Sequence, residues 1–147
     1  MIRAISIRRG RAGTWDTLKL IYEMGIEGAT LPDVRQFVQA FPISQWDSLM
    51  RTFWHYEEEE TETLRSVRLQ AEHLQQQGVM IGDCDDAAVV AVALGRAIPS
   101  CVPFVVAVRP PEAAEFQHVF VEVGHIRIDP TAPLDADYRF WERMVYP

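Results

Sequence analysis

The local signals along this chain change character once, near residue 80, and this change restricts the fold class more than any other feature. Before residue 80 the signals are helical. After one further helix come three segments rich in β-branched residues: CVPFVVAV, HVFVEV and IRID. Helices first and strands later predict an α+β fold with a mostly antiparallel sheet. No internal repeat or long linker interrupts the 147 residues, so we expect a single domain spanning residues 1–147.

Two helices are expected in the first 42 residues from their end signals. The first is capped by Thr14, runs through Glu23–Met24 and stops at Gly25. The second, within TLPDVRQFVQAF, has Pro32 in its first turn and ends at Pro42.

Two more helices are expected before residue 80. SQWDSLMRTFWHY opens with Ser44 and Asp47 at capping-box spacing, which places His55 on a helix. TETLRSVRLQAEHLQQQG reads as the next helix, carries His73 and ends at Gly78, a residue suited to a helix C-terminus.

Charge and hydropathy restrict the kinds of partner. The formal net charge of −7 argues against broad nucleic-acid binding, and no apolar run approaches the length of a membrane span. The opening MIRAISIRRGRAGTW lacks the apolar segment of a secretory signal, so we expect a cytoplasmic or virion-associated location. Residues 1–12 form a basic arm that either meets an acidic partner or is solvated; its arginines are Arg3, Arg8, Arg9 and Arg11. The run Glu57–Glu60 is read as a solvated connection.

Cofactor and metal signals are missing from the sequence. It contains no glycine-rich phosphate loop and no dinucleotide fingerprint, so no cofactor is expected. The candidate donors have no second cysteine or histidine at zinc spacing, so we do not expect a metal site either; these donors are Asp83, Cys84, Asp85, His118 and Asp129.

Cys84 stands among three aspartates where an alanine- and valine-rich helix begins, in MIGDCDDAAVVAVALGRAI. Asp83 is well placed as the N-cap, and Asp85 and Asp86 occupy the first turn, where carboxylates favour the helix dipole. Their charges raise the pKa of a neighbouring thiol, whereas a helix N-terminus and a nearby imidazolium lower it. The sequence leaves open which influence is stronger. A small buried residue is the simpler interpretation of Cys84 taken alone.

A hairpin is predicted at Gly124–His125, since glycine at the first central position suits a two-residue type II′ turn. In this register Glu122 lies opposite Arg127 as a charge pair, and His118 becomes a diagonal neighbour of Asp129. A three-residue turn would put His118 and Asp129 on opposite faces of the sheet.

The same register sorts the hairpin into two faces. One face is apolar and consists of Val119, Val121, Val123, Ile126 and Ile128. The other face consists of His118, Phe120, Glu122, Arg127, Asp129 and Thr131. We expect Cys101 to pack in a strand and His125 to be a turn residue.

The string GDCDD, the apolar helix after it, the strand QHVFVEV and then IDPT resemble the transglutaminase-like superfamily of cysteine enzymes, and most closely its small bacteriophage and prophage members. GTWDTL, DVRQFV and the segment leading into GDCDD resemble the helical lead-in of those proteins, so the resemblance covers roughly residues 10 to 133. It implies a papain-like fold, in which a helix carrying the cysteine packs on an antiparallel sheet.

The resemblance also implies roles for three residues. Cys84 would be the nucleophile, His118 the general base and acid, and Asp129 the residue that orients His118. The implied chemistry is acyl transfer through a thioester, with a protein or peptide as substrate and water or an amine as acceptor. The oxyanion stabiliser is left open among Gln77, Trp54 and Tyr56, beside the backbone N–H of Cys84.

A second interpretation is a bacteriophage or prophage virion protein that uses this fold to dock onto other phage structural proteins, with catalysis incidental or lost. Exposure of Trp15, Trp46 or Trp141 would favour docking, because aromatic residues concentrate at interfaces. An open cleft leading to Cys84 would favour the enzyme. The C-terminal YRFWERMVYP is expected to be a packed final segment.

Overall fold

The computed structural model describes residues 2–4, 11–58 and 63–147, and this part of the chain is of the α+β class. Five helices are α1 (Arg11–Gly28), α2 (Pro32–Ala40), α3 (Trp46–Thr52), α4 (Val67–Gln77) and α5 (Cys84–Arg96). The strands are β1 (Ile2–Ala4), β2 (Trp54–Tyr56), β3 (Thr63–Arg65), β4 (Met80–Gly82), β5 (Phe104–Arg109), β6 (His118–Val123), β7 (Ile126–Ile128) and β8 (Glu142–Tyr146).

Helix α5 is the centre of the core. Every residue from Asp86 to Gly95 is buried, and this stretch contains no charged side chain after Asp86. Small side chains let the neighbours approach closely: α5 contacts α1 most extensively and then β6. A Cβ added at Gly95 would lie 3.0 Å from Val123 of β6, so even this glycine is part of a tight packing contact.

The sequence predicted a first helix that runs from a Thr14 cap to Gly25. In the structure α1 begins earlier, at Arg11, and continues past Gly25 to Gly28. A Cβ built on Gly25 would lie 2.4 Å from Cγ1 of Val92 and 2.9 Å from the carbonyl oxygen of Val89. Gly25 is therefore the point where α1 meets α5 without an intervening side chain.

The main sheet has the strand order β7-β6-β5-β8, and all its neighbours are antiparallel. The predicted hairpin register is confirmed: Val123 faces Ile126 and Glu122 faces Arg127. The turn type differs, because φ is positive at both Gly124 (54°) and His125 (69°). Positive φ at both central residues defines a type I′ turn, not type II′.

Both faces of this sheet are covered by apolar contacts. Val121, Val123 and Ile128 join the core around α5, as the alternation predicted. The opposite face carries a second cluster, in which Tyr138 and Trp141 pack on Val106, Val108 and Phe120. The C-terminal segment is packed through the pairing of β8 with β5 and through Tyr138 and Trp141, whereas Phe140 within it is exposed.

Two segments that were expected to be helical are strands, and one residue that was expected in a strand lies in a loop. Residues 54–56 form β2, which pairs in parallel with β4, so His55 lies on a strand and Tyr56 lies opposite Gly82. Thr63–Arg65 is β3, which pairs with β1, and the following helix starts only after the Ser66 cap and ends, as predicted, at Gly78. Cys101 lies in the loop before β5 and not in a strand.

The two charged segments are only partly described. Arg8, Arg9 and the residues 59–60 of the acidic run lie outside the described residues. No helix in the described ranges is both long and apolar enough to cross a membrane.

Replacing Gly25 with alanine is expected to lower the free energy of unfolding by about 1–3 kcal/mol, because the new methyl group would overlap Val92 in a packed interface. Urea unfolding measures this change. Glu23→Ala, at an exposed position of the same helix, is the matched control and should shift stability by no more than about 0.5 kcal/mol. Equal stability of the two variants would contradict the close approach of α1 and α5.

Candidate active site

Cys84 is the first residue of α5, and the Asp83 side chain caps the helix as predicted. Its carboxylate accepts the backbone N–H groups of Asp85 (3.1 Å) and Asp86 (3.4 Å), and Asp86 accepts the N–H of Asp83 (3.2 Å). This is a complete capping box with aspartate at both ends. It fixes the helix start and so the position of the thiol, which is partly buried.

The sequence left open whether the pKa of the Cys84 thiol is raised or lowered. In the structure, burial and neighbouring charges decide that it is raised. Burial raises the pKa of the thiol well above its ordinary value, and the carboxylates of Asp85, Asp83 and Asp129 raise it further. The backbone of Val119 opposes them by hydrogen bonding to the sulfur. Cys84 is therefore a neutral thiol at neutral pH. The same contacts place its sulfur beside the start of β6 and within reach of the Asp129 charge.

His118 and Asp129 form a direct hydrogen bond of 2.6 Å between Nε2 and Oδ1. The diagonal contact predicted from the hairpin register is thus made, because Asp129 follows the last paired residue of β7. Asp129 is 3% exposed, and the His118 side chain is 16% exposed. A carboxylate accepts only, so Nε2 carries the proton and Nδ1 is left to accept one.

The Cys84 sulfur contacts the backbone of the residue after His118, and no hydrogen bond among the described residues joins it to the imidazole. Within the described part of the chain, the hydrogen-bond contact of Sγ with a side chain is to Oδ1 of Asp85, at 3.9 Å. His118 is the residue before Val119, whose backbone touches the sulfur. The structure thus joins two of the three predicted residues directly and places the third beside them.

Tyr138 covers the histidine. Its ring lies 5.6 Å from the His118 ring and stacks on Phe120 at 5.6 Å, with the Arg127 guanidinium 5.3 Å above it. Burial and the Asp129 charge raise the pKa of Tyr138 to about 12, so the phenol stays protonated. No sequence pattern points to Tyr138, since it lies in a loop ten residues beyond β7.

The predicted Glu122–Arg127 charge pair is wrong although its register is right. The Glu122 carboxylate pairs with Arg143 of β8 instead. Arg127 donates to the carbonyl of Ala136 at 2.9 Å, and its Nε lies 3.9 Å from Oδ2 of Asp129. Strand β8 and the loop before it provide these partners, so the hairpin alone does not reveal them.

Asp47 and Arg51 of α3 hold the segment that carries Asp129. Asp47 accepts the backbone N–H of Asp129 at 2.5 Å, and Arg51 donates to its carbonyl at 2.8 Å and to the carbonyl of Ala132. The sequence interpretation made Asp47 half of a capping box with Ser44, but α3 has no side-chain cap. The spacing of Asp47 and Arg51, four residues apart on a helix, was the available signal.

Of the three side chains considered as oxyanion donors, Tyr56 is the one that interacts electrostatically with Cys84. Burial and then the Cys84 charge raise the pKa of the Tyr56 phenol, which leaves its O–H as a donor. The indole N–H of Trp54 is already bonded to the carbonyl of Gly82 at 2.9 Å. Gln77 is exposed at the last turn of α4. A different glutamine, Gln70, contacts β4, the strand that leads to Cys84. Its side-chain amide donates to the carbonyl of Ile81 and accepts from the N–H of Ile81.

Asp86 is a fully buried carboxyl at the same helix start. It accepts the backbone N–H of Arg65 at 2.8 Å and Nη1 of Arg65 at 3.1 Å, besides the N–H of Asp83. Burial raises its pKa to about 7, although the hydrogen bond from the Arg65 backbone and the Arg65 charge lower it. The carboxyl joins β3 to α5, one residue beyond Asp85.

The second thiol and a second imidazole line a different part of the surface. Cys101 and His125 border a groove of about 560 Å³, together with Glu122 and Arg143. His125 is a turn residue, as expected. These two residues provide matched controls for Cys84 and His118. Among the described residues, no group of three or more histidine, cysteine, aspartate or glutamate side chains is arranged to hold a metal ion.

Comparison with protein-family models, curated proteins and solved structures finds no match to this chain.

Asp85→Asn should lower the pKa of the Cys84 thiol, because it removes the nearest of the charges that raise it without removing the Asp83 cap. Below the thiol pKa, the thiolate fraction then rises, so alkylation by iodoacetamide at pH 8 is expected to accelerate about two- to fivefold. The rate is measured in a Cys101→Ser background, so that one thiol reports. Asp16→Asn, on exposed α1 surface, should leave the rate unchanged; an equal acceleration in both variants would refute the local charge effect.

Asp86 should make stability fall as the pH rises from about 4 to about 7. Its folded pKa, about 7, lies above the ordinary value of 3.8, so the folded state binds more protons than the unfolded state in this window. The loss is on the order of 2 kcal/mol. Urea unfolding at pH 5 and pH 7.5 measures it, and Asp86→Asn should reduce the difference while Asp16→Asn preserves it. A pH difference unchanged by Asp86→Asn would contradict this assignment.

Proposed function

We propose that this protein is a transglutaminase-like cysteine hydrolase with a papain-like arrangement of its site, acting on amide or isopeptide bonds through Cys84, His118 and Asp129. The observation that carries the proposal is the 2.6 Å bond between His118 and Asp129, formed beside the start of the helix that bears Cys84. A nucleophile, a base and a residue that orients the base are the parts that such acyl transfer requires.

The raised pKa of Cys84 determines how the thiol is used. The sulfur is neutral before the reaction, so it attacks the acyl carbon while Nδ1 of His118 takes its proton. The resulting imidazolium is stabilised by Asp129, whose carboxylate accepts the Nε2 proton. The approach of substrate closes the gap between sulfur and imidazole, as catalytic hydrogen bonds often tighten only in the substrate complex.

The remaining steps use groups at the same helix start. The backbone N–H of Cys84 and the O–H of Tyr56 are the donors proposed for the oxyanion. When the tetrahedral intermediate collapses, the bond between the acyl carbon and nitrogen breaks, and His118 returns its proton to the leaving amine. Water then attacks the thioester with His118 as base, which releases the carboxylic acid and restores the thiol. An amine in place of water would give a new amide by the same route.

Docking within a bacteriophage or prophage virion is the second candidate, and one observation favours it. Leu134 and Phe140, in the loop between β7 and β8, are 81% and 82% exposed, which is unusual for large apolar side chains and typical of contact surfaces. The tryptophans favour it less. Trp46 is fully buried in the core, Trp141 is partly buried, and Trp15 alone of the three is exposed, at 43%.

An activated ester such as p-nitrophenyl acetate tests the proposal without knowledge of the natural substrate. The wild type should release nitrophenol and acquire one acetyl group on Cys84, seen by peptide mass mapping. Cys84→Ala should abolish this acylation, and His118→Ala and Asp129→Asn should reduce its rate by a factor of about 10² to 10⁴, as for loss of a general base or its partner.

The second thiol and imidazole provide the controls for this assay. Cys101→Ser and His125→Gln should keep the wild-type rate, because both residues border the separate groove. Acylation of Cys84 that is indifferent to His118 would sink the catalytic assignment and leave the docking protein as the better account.

A further inference from the structure

We infer that Asp47 and Arg51 are positioning residues that hold Asp129 against His118, an assignment that rests on the function proposed above. The need for such support arises from the Asp129 carboxylate itself. One oxygen, Oδ1, bonds His118, while the buried Oδ2 accepts no hydrogen bond from the described residues. The nearest cation, Nε of Arg127, lies 3.9 Å from Oδ2, beyond hydrogen-bond distance. Apart from His118, no side chain among the described residues holds the carboxylate by a hydrogen bond. Its position therefore depends on how the backbone of Asp129 is held.

The sheet does not provide that backbone support. The paired part of β7 ends at Ile128, so Asp129 lies one residue beyond the last ladder contact. Its N–H and carbonyl instead bond to α3: the N–H donates to Oδ1 of Asp47, and the carbonyl accepts from Nη2 of Arg51. Both bonds involve charged groups, which makes them stronger than ordinary backbone hydrogen bonds.

Helix α3 is a rigid support for this clamp, the pair formed by Asp47 and Arg51. Nη2 of Arg51 also bonds Oδ2 of Asp47 at 3.2 Å, so the two side chains fix each other. Trp46 and Met50, each adjacent to one of them in sequence, are 0% and 2% exposed and anchor the helix in the core. The second nitrogen of Arg51 reaches the carbonyl of Ala132 and closes the clamp around residues 129–132.

The geometry of the clamp matters to the chemistry because the His118–Asp129 bond selects the ring nitrogen that carries the proton. Asp129 on Nε2 leaves Nδ1 as the base. If the backbone of Asp129 moves by about 1 Å, this selection weakens, and displacements of this size cost up to about 10²-fold in rate. Loss of the clamp should therefore lower the rate of acylation with little effect on the concentration of ester needed for half-saturation.

The test compares Asp47→Ala, which removes the acceptor, with Asp47→Asn, which keeps a side-chain carbonyl in its place. The first readout is the Nε2–H signal of His118 in the full-length protein labelled with ¹⁵N-histidine. We expect Asp47→Ala to lose the hydrogen-bonded signal, as should Asp129→Ala, which removes the acceptor, and we expect Asp47→Asn to restore it. Ser48→Ala, an exposed neighbour on the same helix, should keep the wild-type signal. A wild-type signal in Asp47→Ala overturns the inference.

The second readout separates this inference from the proposed function. With p-nitrophenyl acetate, Asp47→Ala should acylate about 10- to 100-fold more slowly than wild type, and Asp47→Asn should recover most of the rate. If Cys84→Ala leaves ester cleavage unchanged, the proposed enzyme fails, but the histidine signal still decides the clamp. If Cys84 is essential while Asp47→Ala reacts at the wild-type rate, the clamp fails and the enzyme stands.

A variant on the other side of the clamp covers the case in which Asp47→Ala does not fold. Arg51→Gln removes the charged donor to the Asp129 carbonyl and leaves the acceptor at Asp47. Loss of the His118 Nε2–H signal in folded Arg51→Gln supports the inference, and its retention contradicts it.

Discussion

The structure depends on the burial of α5, a helix that is uncharged from Ala87 to Gly95. Alanine, valine and glycine on this helix let α1 and β6 pack directly against it, and Gly25 on α1 permits the closest approach. A helix buried on every side has no polar surface in its middle, so its polar groups are concentrated at the ends. At the N-terminal end, the carboxyl groups of Asp83 and Asp86 and the thiol of Cys84 directly precede the apolar, buried part of the helix.

Two buried carboxyl groups near this end are stabilised in different ways. Asp86 accepts two hydrogen bonds from Arg65 and one from the backbone of Asp83, and it joins β3 to the helix. Asp129 accepts one bond, from His118, and its backbone is held by α3. A buried carboxylate with few partners is costly unless its charge is used. Oδ2 of Asp129 accepts no hydrogen bond from the described residues, so little opposes the use of this charge to stabilise an imidazolium. The hydrogen bonds of Asp86, in contrast, are those of a residue that holds two elements together.

Burial, and then the carboxylates at this helix start, raise the pKa of the Cys84 thiol. Carboxylates that cap a helix also oppose ionisation of a sulfur in its first turn, so Asp85 and Asp83 add to the effect of burial in raising the pKa of the Cys84 thiol. An enzyme with such a site creates its nucleophile during the reaction, by transferring the proton to a base. This arrangement makes the base and its orientation more important than in a preformed thiolate–imidazolium pair.

Four features were predictable from the residues alone: the α+β class, the α5 helix with its Asp83 cap, the hairpin register and the His118–Asp129 contact. All of these follow from local rules: capping chemistry, alternation of side chains and the geometry of a two-residue turn. Helix ends that depend on packing were missed. Gly25 resembles a stop in the sequence, but α5 accommodates it in the middle of α1, and residues 54–56 become a strand because β4 is available to pair with them.

The contacts that support the candidate site depend on tertiary packing and were not predictable from the sequence. Arg143 takes Glu122 from its predicted partner, Tyr138 covers His118, and Asp47 holds Asp129 from 82 residues away in the sequence. These contacts join distant segments whose proximity depends on the whole core. The direction of the Cys84 pKa shift was not predictable either, because its largest cause is burial, which depends on the packing of distant segments. Local pattern specifies which groups are present at a site, and long-range packing specifies their partners and their charge.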